Sequence, residues 1–191
     1  GVAPWRLGRP RRPLRGATAL LFGALHLPRD GRDGLAEWQR RALSDPALRP
    51  MRPEALHVTL CFLAYHPEKL IPRIAEATAS VPPRPVELRF EPEPAPRPKG
   101  RPRLYAVGAQ SDGAVALQAE LSAALEAERF YEPEKRAFWP HVTVARVRSE
   151  RQPPGRGGRR GRGRPKRVAE PPAPLPEVLT EPFGAVRMAL Y

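Results

Sequence analysis

Two short stretches hold the residue types that could do chemistry: His57-Val58-Thr59-Leu60 and His141-Val142-Thr143-Val144. In each, an imidazole and a hydroxyl stand two positions apart in a run of β-branched and apolar residues, the composition of a strand. Strand alternation sends His57 and Thr59 to one face, and His141 and Thr143 likewise, with Val58, Leu60, Val142 and Val144 on the other. Two such strands side by side line a cleft with two imidazoles and two hydroxyls. Histidine titrates near neutral pH, so one imidazole can take a proton from an attacking water while the other gives one to a departing oxygen. The hydroxyls can donate to non-bridging phosphate oxygens as charge builds there. The set suits in-line displacement at a phosphodiester and calls for no metal. A lone His-x-Thr would be an ordinary feature of a half-buried strand. A second copy, in a chain whose other histidines are His26 and His66, points to a site.

The elements that must position these strands can be read from periodicity. Ala17 to Leu27 reads as a buried strand ended by Pro28 and the Asp30-Gly31 turn signal. Leu35, Trp38, Ala42 and Leu43 mark one face of a helix from about Gly31 to Leu43. The first motif strand spans about Ala55 to Leu63. Leu70, Ile71, Ile74, Ala75 and Thr78 form a second helical stripe, with Pro72 tolerable in its first turn. Val86 to Phe90 and Leu104 to Ala109 read as strands. Asp112 is a candidate N-cap for a helix defined by Val115, Leu117, Leu121 and Leu125. The second motif strand runs from His141 to Val147, and Phe183 to Tyr191 returns to strand character as the edge of a sheet. Each half offers a helix and strands around one His-x-Thr. The expected fold is therefore α+β, with two pseudo-symmetric lobes of antiparallel sheet lining a central cleft and helices outside.

Charge is uneven within the formal +13. Residues 1–16 hold five Arg and no acid, and residues 146–167 hold ten Arg or Lys against Glu150, leaving 18 basic against 19 acidic elsewhere. The body between the flanks is thus near neutral and makes no electrostatic case for binding a polyanion. The 27 prolines concentrate irregular structure. The expected organisation is a disordered basic arm at 1–16, a bilobal domain at 17–148, a disordered Arg/Gly/Pro-rich insertion at 149–176, and a strand at 177–191 returning to the domain. Cys61 is the only cysteine, so a reducing, cytoplasmic setting is expected. It shares strand parity with His57 and Thr59 and could border the cleft, although a small buried residue is the commoner role. No apolar run approaches the roughly 20 residues of a membrane span.

Paired H-x-T motifs, the first preceded by R-P-E-A-L and the second by F-W-P and followed by A-R-V, resemble those of the 2H phosphoesterase superfamily. The branch most similar is the bacterial RNA 2′,3′-cyclic phosphodiesterases, also called 2′-5′ RNA ligases. The resemblance runs from about Leu20 to Arg148, tight at the motifs and loose between them, and it implies the same bilobal fold. It further implies hydrolysis of a 2′,3′-cyclic phosphate to a 2′-phosphomonoester, with His57 as proton donor and His141 as proton acceptor. The two motifs are nearly identical, and their residues alone leave that assignment open. A 2′-5′ ligation side activity is implied as well, with no cofactor. An Arg follows the second motif in the family, and here Arg146 holds that place, where it could contact the substrate phosphate. Strict alternation puts Arg146 on the face opposite His141, so this role requires a twist or bulge.

Tyr105, Phe138 and Trp139 stand beside motif strands and could stack a nucleobase, although aromatics there more often pack in the core. His26 and His66 lack a Thr partner and read as structural or exposed. The expected partners are RNA ends or cyclic nucleotides, with non-specific RNA binding by the basic flanks, no membrane, and a monomeric state. The competing reading is a non-catalytic RNA-binding protein built on a 2H-like platform with Arg-rich flanks. Retention of both His and both Thr argues against it. A His-ligated metal site lacks clustered carboxylates or cysteines.

Overall fold

The computed structural model describes residues 17–150 and 163–191 and the backbone of 3–7. Ten strands and three helices follow one another as β1 (Ala3–Leu7), β2 (Thr18–His26), α1 (Arg29–Ala42), β3 (Leu48–Pro50), β4 (His57–Pro67), α2 (Ile71–Ala79), β5 (Glu87–Phe90), β6 (Ala95–Arg97), β7 (Leu104–Gln110), α3 (Asp112–Ala127), β8 (His141–Val147), β9 (Phe183–Gly184) and β10 (Arg187–Leu190). The fold is α+β, a curled antiparallel sheet in two lobes about a central cleft with helices outside. One lobe holds β1, β10, β2 and β4; the other holds β8, β7, β5 and β9, with β3 on β8 and β6 on β7. Every pairing is antiparallel except β1 with β10. The lobes join where β4 meets β8 at Val58–Val142.

Each half contributes a strand, a helix and a motif strand: β2–α1–β4, then β7–α3–β8. The helices cross over. Gln118 of α3 reaches Cys61 of β4, and Gln39 of α1 donates to the Val144 carbonyl of β8. Each half's helix thus covers the other half's motif strand. Leu35, Trp38, Gln39 and Ala42 are the buried face of α1, and Ala114, Leu117, Leu121, Ser122 and Leu125 that of α3. They close a core with Leu25, Leu56, Val58, Leu88, Val107 and Met188, all buried. Pro72 stands in the first turn of α2, where no hydrogen bond is lost.

Four expectations need correction. Ser111, not Asp112, caps α3: its extended backbone lets Oγ accept from Ala114 N–H at 3.0 Å, which leaves Asp112 in the first turn where the helix dipole favours a negative charge. The strand expected at Phe183–Tyr191 divides: β9 is the edge of the second lobe beside β5, whereas β10 is no edge, because β1 covers it. That pairing places Ala3–Leu7, within the arm expected to be disordered, in a strand. Residues 163–176, within the expected disordered insertion, pack on the body. Asp45 Oδ2 accepts from the N–H groups of Ala169 (2.7 Å) and Glu170 (3.0 Å), Oδ1 accepts from Ala47 (2.7 Å), and these bonds hold the carboxyl below its usual range. Trp38 Nε1 donates to Pro174 O, and Leu175 is buried. The remainder of that expectation, at 151–162, lies outside the described residues, as do residues 8–16 of the arm.

Candidate active site

β4 and β8 both depart from alternation at the residue after the threonine, and β4 does so a second time further on, at Leu63. Against β2, Thr59 pairs with Ala24 and Cys61 with Gly23, so Leu60 is an extra residue. Against β7, Thr143 pairs with Ala106 and Ala145 with Tyr105, so Val144 is the extra residue. A bulge reverses the faces beyond it. Leu60 and Cys61 are consecutively buried, as are Val144 and Ala145, and Phe62 and Arg146 turn outward on the His-x-Thr side.

The same bulge decides several sequence expectations. Arg146 shares the face of His141 and Thr143, which strict alternation denied it. Cys61 falls on the core side beside Gln118, and burial pushes its thiol up to about 12. Tyr105 pairs with Ala145 on the core side and is buried, so it offers no ring to a base in the cleft. Phe138 is half-buried against the core.

The cleft face consists of matched rows. Antiparallel pairing at Val58–Val142 sets His57 alongside Thr143 and Thr59 alongside His141, with the two valines beneath. In a regular ladder the diagonal positions of His57 and His141 stand about 7–8 Å apart. Ala24 lies opposite Thr59, and Ala106 opposite Thr143, small residues that leave room above each hydroxyl. Opposite His57 stands His26, whereas opposite His141 stands Gly108. A Cβ at Gly108 would collide with Glu91 Oε2, so glycine admits that carboxylate to the face.

The surroundings of the imidazoles differ. The His57 ring stacks on Phe22, with centroids 5.2 Å apart and planes at 17°, and Tyr191 lies parallel at 6.4 Å. The Tyr191 hydroxyl is hydrogen-bonded to Nε2 of His26, whose ring is 6.5 Å from His57. Burial, then the charges of Arg187, His57 and Arg32, lowers His26 to about 4, so it is neutral at ordinary pH. Burial also lowers His57 below the usual histidine value. The His141 ring stacks on Trp139 at 4.6 Å, and Arg97 lies 4.1 Å over the Trp139 ring. His141 Nδ1 is 2.7 Å from the Trp139 carbonyl oxygen. A carbonyl only accepts, so Nδ1 has the hydrogen and Nε2 is left for the cleft. Burial lowers His141 most, with Arg97 adding to that and the Trp139 bond and Glu134 opposing.

The structure therefore brings together His57, Thr59, His141, Thr143 and Arg146, and leaves Tyr105 and Phe138 out. Sequence reasoning missed Phe22, His26 and Tyr191 as neighbours of His57, and Glu91 over Gly108. Strand pairing was the missing information, since none of them is within reach of a motif along the chain. Among the described residues, no group of three His, Cys, Asp or Glu side chains is arranged to hold a metal ion, and no helix is long and apolar enough to cross a membrane.

Known proteins share this fold. A family model described as the 2′-5′ RNA ligase superfamily matches residues 27–154. A Thermus thermophilus protein named RNA 2′,3′-cyclic phosphodiesterase is 30% identical over 138 residues, 66% of this chain and 67% of its own. Among solved structures, TT0787 of Thermus thermophilus matches with a TM-score of 0.67 at 25% identity, over 90% of this chain and 87% of its own. E. coli LigT complexed with 3′-AMP matches with 0.69 at 19% identity, over 92% and 88%.

Proposed function

Because the chain belongs to the 2′-5′ RNA ligase superfamily and is a cyclic phosphodiesterase of the 2H class, we propose that it opens the 2′,3′-cyclic phosphate of an RNA end to a 2′-phosphate by paired histidine catalysis. His141 is the base: its Nδ1–H is committed to the Trp139 carbonyl, and Nε2 takes a proton from the water attacking phosphorus. His57 is the acid. Its ring is stacked on Phe22 and makes no hydrogen bond within the described residues, so a proton on it is free for the departing O3′. Attack forms the P–O bond to water, the P–O3′ bond breaks, and O3′ leaves as a hydroxyl. Thr59, Thr143 and Arg146 hold the non-bridging oxygens as charge gathers on them. A 5′-hydroxyl held in place of the water would give a 2′-5′ linkage instead.

The observation that carries this reading is the orientation of His141. A purely RNA-binding surface has no use for an imidazole whose tautomer is set by a backbone carbonyl. Phosphorus NMR of an RNA ending in a 2′,3′-cyclic phosphate, incubated with the protein and a chelator, tests it. A 2′-phosphomonoester is expected. A 3′-phosphomonoester would reverse the leaving group, and absence of turnover would remove the reading.

A further inference from the structure

Beside the His-x-Thr face lies a cavity of about 650 Å³, lined by Arg49, Arg103, Arg146 and Arg148 with Gly163 and Pro165 among its other walls. That volume is in the usual range for a small-ligand site, about 300–1,000 Å³. Its position follows from pairing. Arg97 pairs with Leu104, Leu104 with Arg146, and Arg146 with Arg49, so one transverse row on the cleft face carries three guanidiniums across β6, β7, β8 and β3. Arg148 follows Arg146 by two positions, just past the end of β8.

The outer wall is chain expected to be disordered. Ser149 bridges to Pro165, Lys166 N–H donates to Arg148 O at 2.8 Å, and Glu150 N–H donates to Arg164 O at 2.8 Å. Gly163 is needed there, since a Cβ would stand 2.7 Å from the Glu150 carbonyl oxygen. Among the described residues, no acidic side chain lines the cavity. Among the described residues, none of its four arginines makes an ion pair, whereas Arg29, Arg40, Arg41, Arg73, Arg84 and Arg136 do. Cations gathered without counter-charge are matched to an anion from outside. Of the four, Arg49 and Arg103 come from the near-neutral body, and Arg146 and Arg148 from the start of the basic stretch at 146–167.

We propose that this cavity binds backbone phosphates of the RNA strand whose end is being hydrolysed, on the 5′ side of the cyclic phosphate. The assignment rests on the cyclic phosphodiesterase reading, because a 2′,3′-cyclic phosphate can only terminate a strand at its 3′ end. The whole remaining strand must therefore leave the site 5′-ward, and Arg146 links the site to the cavity. The groove makes an oligonucleotide a better substrate than a mononucleotide.

The test uses the whole chain and an Arg49→Gln, Arg103→Gln, Arg148→Gln triple variant, with 2′,3′-cyclic AMP and a short RNA ending in a 2′,3′-cyclic phosphate. The variant should keep kcat/KM on cyclic AMP within about twofold and lose about 10- to 100-fold on the RNA through KM. The slope of log affinity against log salt should fall by about 0.7 for each contact removed. Unchanged RNA kinetics would overturn the proposal, and so would an equal loss on both substrates. Should the native protein turn over neither, the functional reading fails while the groove is still judged by fluorescence anisotropy with an RNA ending in a 3′-phosphate. Weaker binding by the variant then supports the groove, and equal binding overturns it.

Discussion

The two lobes share a backbone plan and differ in what they hang on it. Tyr191, just past β10, forms a row with Phe22 of β2 and Phe62 of β4, the position in the first lobe that Arg97, Leu104 and Arg146 occupy in the second. Both rows lie just past a bulge, at Leu60 in one motif strand and Val144 in the other. Past its bulge one lobe therefore presents a row of rings beside its histidine, and the other a row with two guanidiniums beside the Trp139-stacked His141. On the proposed mechanism the repeated backbone supplies two equivalent proton-transfer positions. Divergent rows make the environments unlike, so an acid and a base can be told apart.

The largest effects should come from breaking the shared part. His57→Ala or His141→Ala should each cost about 10² to 10⁴ in rate, and the double variant little more, as expected of groups acting as a unit. Burial lowers both imidazoles, so kcat/KM against pH should be bell-shaped with its maximum on the acid side of 6.5. The acid limb belongs to the base, which is lost as it gains a proton, and the alkaline limb to the acid, which is lost as it gives one up. His141→Ala should remove the acid limb and His57→Ala the alkaline limb. The reverse pattern would exchange the roles of the lobes.

Thr59→Val and Thr143→Val keep shape and delete one phosphate hydrogen bond each, so each should cost about 10- to 10³-fold in kcat. Both hydroxyls stand opposite an alanine at the same place in the ladder. A near-native rate in either variant would show that only one lobe grips the phosphate.

How much of this was legible along the chain follows from what each feature depends on. The motif strands and helices rest on local periodicity, and His141–Val147 coincides with the expected second strand. Faces beyond Thr59 and Thr143 depend on bulges, which alternation does not announce. The sequence therefore left Arg146 on the wrong side unless a bulge intervened, and invited Cys61 and Tyr105 toward a cleft they do not face. Phe22, His26 and Tyr191 reach His57 through pairings between segments far apart in the chain. The packed part of the insertion was unreadable for another reason. Its anchor is Asp45, whose role is apparent only when Ala169 and Glu170 are beside it.

Exchanging the outward residue past each bulge tests the divergent part. Arg146→Ala should lower kcat/KM on a cyclic mononucleotide about 10- to 100-fold, the worth of a charge-assisted phosphate contact. Phe62→Ala, at the equivalent position of the other lobe, should change it less than about threefold, since the residue is 52% exposed and bears no charge. Equal losses would mean that Phe62 also touches the phosphate end of the substrate, and the contrast between rings and charges would fail.

The smallest expected effect concerns what holds the bulges. Gln39 is buried, and its Nε2 donates to the carbonyls of Val144 (2.7 Å) and Met51 (3.1 Å), so the first half's helix ties down the bulge in the second half's strand. In the other lobe Gln118 reaches only the Cys61 sulfur at 3.9 Å, a weak contact. Gln39→Leu preserves size and removes both donations. The Val144 carbonyl keeps the Met51 N–H at 2.9 Å, whereas the Met51 carbonyl loses this side-chain donor. Stability should fall by about 1–3 kcal/mol, read as a lower urea midpoint at unchanged slope. Thr143 and Arg146 flank the loosened residue, so activity should fall by less than about tenfold, mainly through KM. Gln118→Leu should cost less than about 1 kcal/mol and leave KM alone. If the two variants lose equal stability, the bulges are held alike and the asymmetry lies in the rows alone; if Gln39→Leu loses stability without a change in KM, the bulge does not position Arg146.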